Sequence, residues 1–483
     1  MITPLPRGFG IAVDADTKML DATTLFGGSP PRILRLTPAG ADAWDELRCG
    51  PVTSRAGGLL ARKLTDAGLV HPRPPSTDKS QLDVTVIIPV RDRAELLDRC
   101  LAALGTAHPV MVVDDGSLDG VAIAETAERY GAHLLRRPVS GGPGPARNTG
   151  LTGITSEFVA FLDSDCTPCS GWIEELAPHF ADPLVAAVAA RIVPEAAGGS
   201  AARYSAAFSC LDLGAREARV VPGARVAYVP TAALLVRCDA LCGIAAGAVV
   251  FDPALRHGED VDLIWRLHEA GWRTRYVPSV RVLHHEPETW PELLDRRFRY
   301  GTSAAPLTLR HPTAIRPLVL YSGPTATVVA LFAQRPFLAV ATFTGHVAFL
   351  ARKLRRARVP ADGLLGASLF GVRQTWLGIG RYACQFAGPA LLSAALFSGG
   401  RRRWVRWAII GSLLLSPALT TSRDAKVPTL VRVIGRLADD VAYGAGVWTG
   451  CFRYRTLRPL IPALSWRPLR ISTETPANHE GHR

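Results

Sequence analysis

Between Asp83 and Tyr300 the chain alternates strand-length apolar runs with helical stretches, and this alternation narrows the fold more than any other feature. Val84–Val90, Val110–Val113, Phe158–Leu162 and Val185–Val193 are nearly unbroken apolar runs. Ala94–Leu104, Val121–Tyr130 and Gly171–Phe180, between them, carry apolar residues at helical spacing. A strand without polar alternation is buried on both faces. The arrangement that buries it is a mostly parallel sheet between helices, an α/β fold. Ligands of such sheets bind at the carboxyl ends of the strands, so chemistry is expected in the residues that follow each apolar run.

Those residues are acidic. Val112-Val113 leads into Asp114-Asp115-Gly116-Ser117, where the carboxylates either cap the next helix or accept from a base N–H or ribose hydroxyls. Phe161-Leu162 leads into Asp163-Ser164-Asp165. Residues i and i+2 of a strand share a face, about 6.5–7 Å apart, so one carboxylate can hold a divalent cation while the other touches ribose or a metal-bound water. Mg²⁺ and Mn²⁺ suit such hard oxygen ligands. The Gly/Pro-rich loop Ser140–Gly150 has neither a Walker lysine nor a GxGxxG pattern. It is either an ordinary strand-to-helix turn or a close approach to a nucleotide, with Arg147 as a planar charged donor. His257-Gly258-Glu259-Asp260-Val261-Asp262 opens a helix expected to end near Gly271. Acids in a first helical turn are favoured by the dipole, and one of these could also deprotonate an acceptor hydroxyl. Val282-Leu283-His284-His285-Glu286 leaves another strand, where a neutral imidazole is either structural or completes the metal shell.

Taken in order, VTVIIPV, VVDDGS, GPARNTG, FLDSD, GED and Arg296-Arg297-Phe298-Arg299-Tyr300 resemble the inverting nucleotide-sugar glycosyltransferases of family 2, which have the GT-A fold. The resemblance covers roughly residues 83–300. The last element is similar to that family's Gln-x-x-Arg-Trp motif, with Arg296 for Gln and Tyr300 for Trp. The resemblance implies that Asp114 or Asp115 contacts the uracil or ribose, that Asp163 and Asp165 bind donor and metal (Mn²⁺ or Mg²⁺), and that Asp260 is the general base. Arg296 and Arg299 would steady the pyrophosphate or acceptor. With Arg147 beside the nucleotide and His284 or His285 in the metal shell, the expected site is complete. RRFRYGTSA, the N-terminal unit and the basic tail together resemble the mycofactocin-system glycosyltransferases, which attach β-linked glucose units to a peptide-derived redox cofactor precursor. That implies UDP-glucose as donor. Two rivals stand beside it: a family 2 transferase of cell-envelope glycan or glycolipid synthesis, and a non-catalytic nucleotide- and peptide-binding scaffold.

Ahead of this region, Arg32–Val70 reads as a small helical unit. Thr37 caps a helix that starts at Pro38 and runs through Ala43, Trp44 and Leu47. A second helical pattern, Leu59, Leu60 and Leu64, stops at Gly68, and the Pro-rich His71–Ser80 reads as a linker. The string from ILRLTPAG to TDAGLVHP resembles the small winged-helix peptide-binding domains of peptide-modification pathways, which implies a peptide partner. The expected division is a peptide-recognition domain with linker at 1–80, the GT-A domain at 81–300 and a helical membrane-associated region at 301–483.

The formal charge of +13 conceals a split. Residues 1–300 carry 31 basic and 36 acidic side chains, and residues 301–483 carry 24 and 6. In the basic part, Pro317–Gln334, Pro336–Ala351, Tyr382–Gly400 and Trp407–Ser422 contain no charged side chain, against about 20 residues needed to span a bilayer. Arg352-Lys353-x-Arg355-Arg356-x-Arg358 and Arg401-Arg402-Arg403 flank them, as at a cytoplasmic membrane face. The segments are expected to span the membrane, once or several times, or to lie along it; the soluble alternative is a helical bundle with a basic face. No nucleic-acid partner is expected, since no reader motif appears and the tail's aromatic residues sit within apolar runs. Asp14 and Asp16 break the apolar stretch that a secretory signal within Met1–Leu20 would need. The nine cysteines, including Cys166/Cys169 and Cys238/Cys242, read as free thiols rather than a zinc site.

Overall fold

The apolar runs assemble into one nine-stranded sheet. The computed structural model that shows it describes residues 2–75, 82–195, 198–314, 316–357, 359–397, 403–419, 427–465 and 470–473. Val84–Val90 lies inside the sheet and pairs in parallel with Val110–Asp114 on one side and Phe158–Leu162 on the other. His133–Arg136 extends the parallel part beyond Val110–Asp114. Past Phe158–Leu162 the sheet becomes mixed: Ala233–Arg237 runs antiparallel between it and Val185–Glu195. The long strand Arg273–His285 then pairs in parallel with Val185–Glu195 and antiparallel with Cys166–Pro168 and Ala218–Val220.

Burial on both faces explains the unbroken apolar composition. Val86, Ile88, Val112, Ala160, Leu162 and Val188 face one cluster together with Leu97, Leu101 and Ile123 of the covering helices. Ile87 and Val113 point the other way and meet the helix Pro143–Leu151 at Gly150, where a Cβ would come within 2.6 Å of Ile87. The chain leaves Val84–Val90, builds two strands to one side, and returns to the opposite side at Phe158. Such a reversal opens a crevice at the carboxyl ends of the two flanking strands.

This sheet belongs to one of two compact units, made of Met1–Glu195, Ser209–Glu286 and Ile471–Arg483. The N-terminal module of the same unit holds the two expected helices. Thr37 Oγ1 accepts from Gly40 N at the start of Pro38–Cys49, and Gly68 (φ 73°) ends Arg55–Ala67. Strands accompany them. Gly10–Val13 pairs with Val70–Arg73, and a second sheet runs in the order Arg470–Thr473, Arg32–Arg35, Thr24–Gly27, Lys18–Asp21. The linker expected at His71–Ser80 is therefore a strand over His71–Arg73, held by the ladder to Gly10–Ala12, while residues 76–81 lie outside the described part. Ion pairs fasten the module to the large sheet's surroundings. Arg62 donates to Asp182 at 2.6 and 2.7 Å with both side chains buried, and Arg273 donates to Asp66 at 2.8 and 2.7 Å.

The second unit, Ala196–Phe208 with Pro287–Arg470, is mainly helical. Its longest helices are Pro336–Arg356, Leu364–Tyr382, Arg403–Leu419 and Thr429–Arg453. The apolar stretch expected from Pro317 begins as a short strand, Val319–Tyr321, paired in parallel with Ala463–Ser465, before the helix Ser322–Phe332. Among the described residues one helix, Pro336–Arg356, has the length and apolarity to cross a membrane. It exposes Phe337, Leu338, Val340 and Phe349, and its last turn carries Lys353, Arg355 and Arg356. Arg358, Arg401 and Arg402 of the expected basic clusters lie outside the described residues.

Candidate active site

The parallel strands bring their following residues to one edge of the sheet. Asp114 ends its strand fully buried, and its Oδ1 accepts from Ser117 N at 2.8 Å. Its Oδ2 is buried without a hydrogen-bond partner, with Arg136 Nε 3.5 Å away. Asp115 is differently employed. Its carboxylate accepts from Ser140 Oγ (2.8 Å), Gly141 N (3.1 Å) and Gly142 N (2.7 Å), and Arg137 Nε pairs with it at 3.1 Å. It thereby fastens the Gly/Pro-rich loop to the sheet edge, and Arg91 joins the same knot through Ser140 Oγ at 3.1 Å.

Asp163-Ser164-Asp165 does not continue the strand. Phe158–Leu162 ends at Leu162 and the three residues form a turn, closed by Cys166 N donating to Asp163 O at 3.0 Å. The shared-face geometry expected of a strand is thus replaced by a turn that sends each carboxylate to its own partners. Asp163 Oδ1 accepts from Arg147 Nη2 at 2.6 Å, while the other end of the same guanidinium, Nη1, donates to Glu259 Oε1 at 2.9 Å. Arg147 is 1% exposed. Burial works against its charge, but Asp163 and Glu259 outweigh it and push its pKa up.

Glu259 and Asp260 open the helix Glu259–Glu269 behind Gly258, whose φ of 80° is a backbone conformation suited to glycine. Burial raises the Glu259 carboxyl, opposed by Arg147. Asp260 accepts from its neighbour Val261 N at 2.8 Å. Burial first, and then the adjacent Glu259 charge, push its carboxyl up to about 7. A carboxylate with that proton affinity is suited to accept a proton near neutrality.

The backbone also joins Asp165 to the two histidines. Cys166 pairs with His284 in the ladder between Cys166–Pro168 and Arg273–His285, and His285 N donates to Asp165 O at 2.9 Å. His284, 3% exposed, places Nε2 3.7 Å from Asp165 Oδ2, and its Nδ1 lies 3.3 Å from Glu286 Oε1. Glu286 thus lies close behind one ring nitrogen without a well-aligned hydrogen bond, and the other nitrogen faces Asp165, the side on which a ligand would sit. Strand alternation turns His285 to the opposite face. Asp165 and His284 therefore fit a hard or borderline divalent cation that completes its octahedron with phosphate and water. Among the described residues no group of three or more His, Cys, Asp or Glu converges to form an all-protein site.

Glu259, Glu286 and Arg93, which donates to Asp165 Oδ2 at 2.9 Å, join the site although the sequence assigns none of them a role of its own. Glu259 was signalled by its place in GED, and Glu286 by following the histidine pair. Arg296 and Arg299 lie on Trp290–Thr302, in the other unit, where Arg299 pairs with Asp295 at 2.5 Å. The cysteines are free thiols; Cys100 and Cys166, buried beside Asp163 and Asp165, are pushed far up by that burial.

Residues 85–240 match the model of "Glycosyl transferase family 2". The chain is 40% identical over 477 residues, 96% of its length and 99% of the relative's, to the pre-mycofactocin glycosyltransferase of Mycobacterium tuberculosis. It is 30% identical to the glycosyltransferase AglE of Haloferax volcanii over 45% of this chain and 71% of that one. Among solved structures, the mannosyltransferase PcManGT of Pyrobaculum calidifontis, in complex with GDP-Man and Mn²⁺, aligns with 78% of this chain and 90% of its own (TM-score 0.44, 17% identity).

Proposed function

The chain belongs to glycosyl transferase family 2 and is a glycosyltransferase; from that membership we propose that it moves a glucosyl unit from UDP-glucose, with inversion to a β-linkage, onto the peptide-derived precursor of the redox cofactor mycofactocin. The observation that carries this reading is the end-to-end identity with a relative named for that acceptor, over 96% of this chain. It takes in the N-terminal module and the helical tail as well as the catalytic sheet.

The sheet-edge geometry supports a division of labour. Asp114 Oδ2, a buried acceptor without a hydrogen-bond partner, suits a base N–H of the donor. Asp115 holds the loop Ser140–Gly142 against the nucleotide's side of the edge. Arg147, expected beside the nucleotide, is buried with its guanidinium taken up by two carboxylates, and is instead assigned a positioning role, keeping Asp163 turned toward the donor and Glu259 at the head of its helix. Asp260 takes the proton of the acceptor hydroxyl as its oxygen attacks the anomeric carbon opposite the departing diphosphate. One in-line displacement inverts configuration, so an α-linked donor gives a β-linked product. A Mn²⁺ or Mg²⁺ ion held by Asp165 and His284 would neutralise charge on the leaving diphosphate. The module within residues 1–80 is assigned to the acceptor peptide, and residues 301–483 to the cytoplasmic face of the membrane.

The test is a donor and acceptor screen read by mass spectrometry. UDP-glucose and other nucleotide sugars are offered with the peptide-derived precursor and, separately, with polyprenyl phosphate. Hexose on the precursor is the expected product. Transfer to polyprenyl phosphate alone would replace the acceptor reading with envelope glycolipid synthesis, and no consumption of any donor would favour a scaffold.

A further inference from the structure

Arg93 follows the strand Val84–Val90, and Asp165 follows Phe158–Leu162. These two strands flank the place where the sheet's connections reverse, the crevice in which open α/β sheets take their ligands. Across that crevice Arg93 Nη1 donates to Asp165 Oδ2 at 2.9 Å, and His284 Nε2 faces the same oxygen at 3.7 Å. The oxygen best placed to ligate a cation is thus held by an arginine. The Arg93 side chain is 43% exposed, so this pair is of the solvent-screened kind that a stronger ligand displaces readily.

A guanidinium and a dication on the same Asp165 Oδ2 repel each other, so each weakens the hold of the other on that oxygen. A displaced Arg93 remains tethered to the start of the 11-residue helix Ala94–Leu104, whose N-terminal amides also favour negative charge. The anion that would arrive there with the cation is a diphosphate, and a planar guanidinium binds phosphate with two parallel hydrogen bonds.

We infer that Arg93 is a donor-diphosphate-binding residue that holds Asp165 before the donor arrives and releases it to the cation when the nucleoside diphosphate binds. The inference rests on Asp165 being a cation ligand, as proposed above. It makes binding of cation and diphosphate mutually dependent: each is weaker alone than in the other's presence.

Isothermal titration of the full chain with Mn²⁺ alone, UDP alone and UDP in saturating Mn²⁺ tests this, on the wild type, Arg93→Ala, Arg93→Lys and Asp165→Asn. Arg93→Ala should bind Mn²⁺ alone a few-fold more tightly, since its competitor at Asp165 is gone, yet bind UDP in Mn²⁺ roughly tenfold more weakly. Arg93→Lys, which keeps the charge without the fork, should fall between, and it serves as the readout should the alanine variant fail to fold. Asp165→Asn should lose Mn²⁺ binding. Arg93 variants with both affinities unchanged, or with both weakened, would overturn the role of Arg93 while leaving the cation site standing. Undiminished Mn²⁺ binding by Asp165→Asn would overturn the cation site itself, and this inference with it.

Discussion

Arg147 and Asp163 meet at 2.6 Å, and because the same guanidinium also holds Glu259 at 2.9 Å, the turn after one strand and the head of the helix Glu259–Glu269 are locked to a single buried cation. Replacing Arg147 with alanine leaves Glu259 buried without its counter-charge and releases Asp163. Breaking such a buried pair costs about 3–5 kcal/mol. The expected result is a matching loss in urea unfolding together with a fall in kcat/KM of about a hundredfold or more. Arg147→Met combined with Glu259→Gln should recover most of the stability and little of the activity. An alanine variant as stable as the wild type would show that the network is not holding the site.

The acid limb of the pH profile should belong to Asp260. Its carboxyl is pushed up to about 7 by burial and by the Glu259 charge. A base works only when deprotonated, so kcat/KM should be level above pH 7 and fall as pH drops through 7, approaching about tenfold per unit. The raised value also means that ionising Asp260 opposes folding: the penalty is absent below the ordinary carboxylate value of 3.8 and complete above about 7. Asp260→Asn should accordingly melt at or above the wild-type temperature at pH 8, with no such gain near pH 4. A flat rate profile between pH 5 and 8 would contradict the assignment.

Chelation distinguishes the two histidines. EDTA should arrest turnover and Mn²⁺ or Mg²⁺ restore it. His284→Ala should weaken Mn²⁺ binding strongly, and Glu286→Gln, which loosens the carboxylate behind His284 Nδ1, by about 10–100-fold. His285→Ala should have the smallest effect, since its side chain alternates to the other face. Equal losses from His284→Ala and His285→Ala would overturn this choice, and full activity in EDTA would remove the cation.

The exposed apolar face of Pro336–Arg356, closed by Lys353, Arg355 and Arg356, predicts attachment to anionic bilayers. Carbonate extraction of membranes decides its mode. Retention in the membrane pellet is expected if this helix spans, release by high salt if the contact is interfacial. Recovery in the soluble fraction at low salt would contradict membrane association altogether.

Much of the sheet edge was legible because local rules produce it. Continuous apolar runs that stop at acids gave Asp114, Asp115, Asp163 and Asp165 their place, and Thr37 and Gly68 marked helix ends by capping chemistry that acts within a few residues. What remained hidden depends on partners far along the chain. Arg147 and Glu259 are 112 residues apart, and Arg93 and Asp165 are 72, separations at which spacing carries no signal. The four-residue strands of the N-terminal module, such as Lys18–Asp21, are too short to show alternation, and only pairing makes them strands. His71 lay in a Pro-rich stretch that resembled a linker, yet its ladder to Ala12 and its buried contact with Asp14 hold it in place.

The most direct test of the account is to separate donor binding from transfer in Asp260→Asn, measured on one preparation by titration with UDP in Mn²⁺ and by product formation from UDP-glucose. UDP affinity should stay within about twofold of wild type while transfer falls by about 10²–10⁴-fold, the usual contribution of a positioned base. Weakened UDP binding with turnover intact would contradict it.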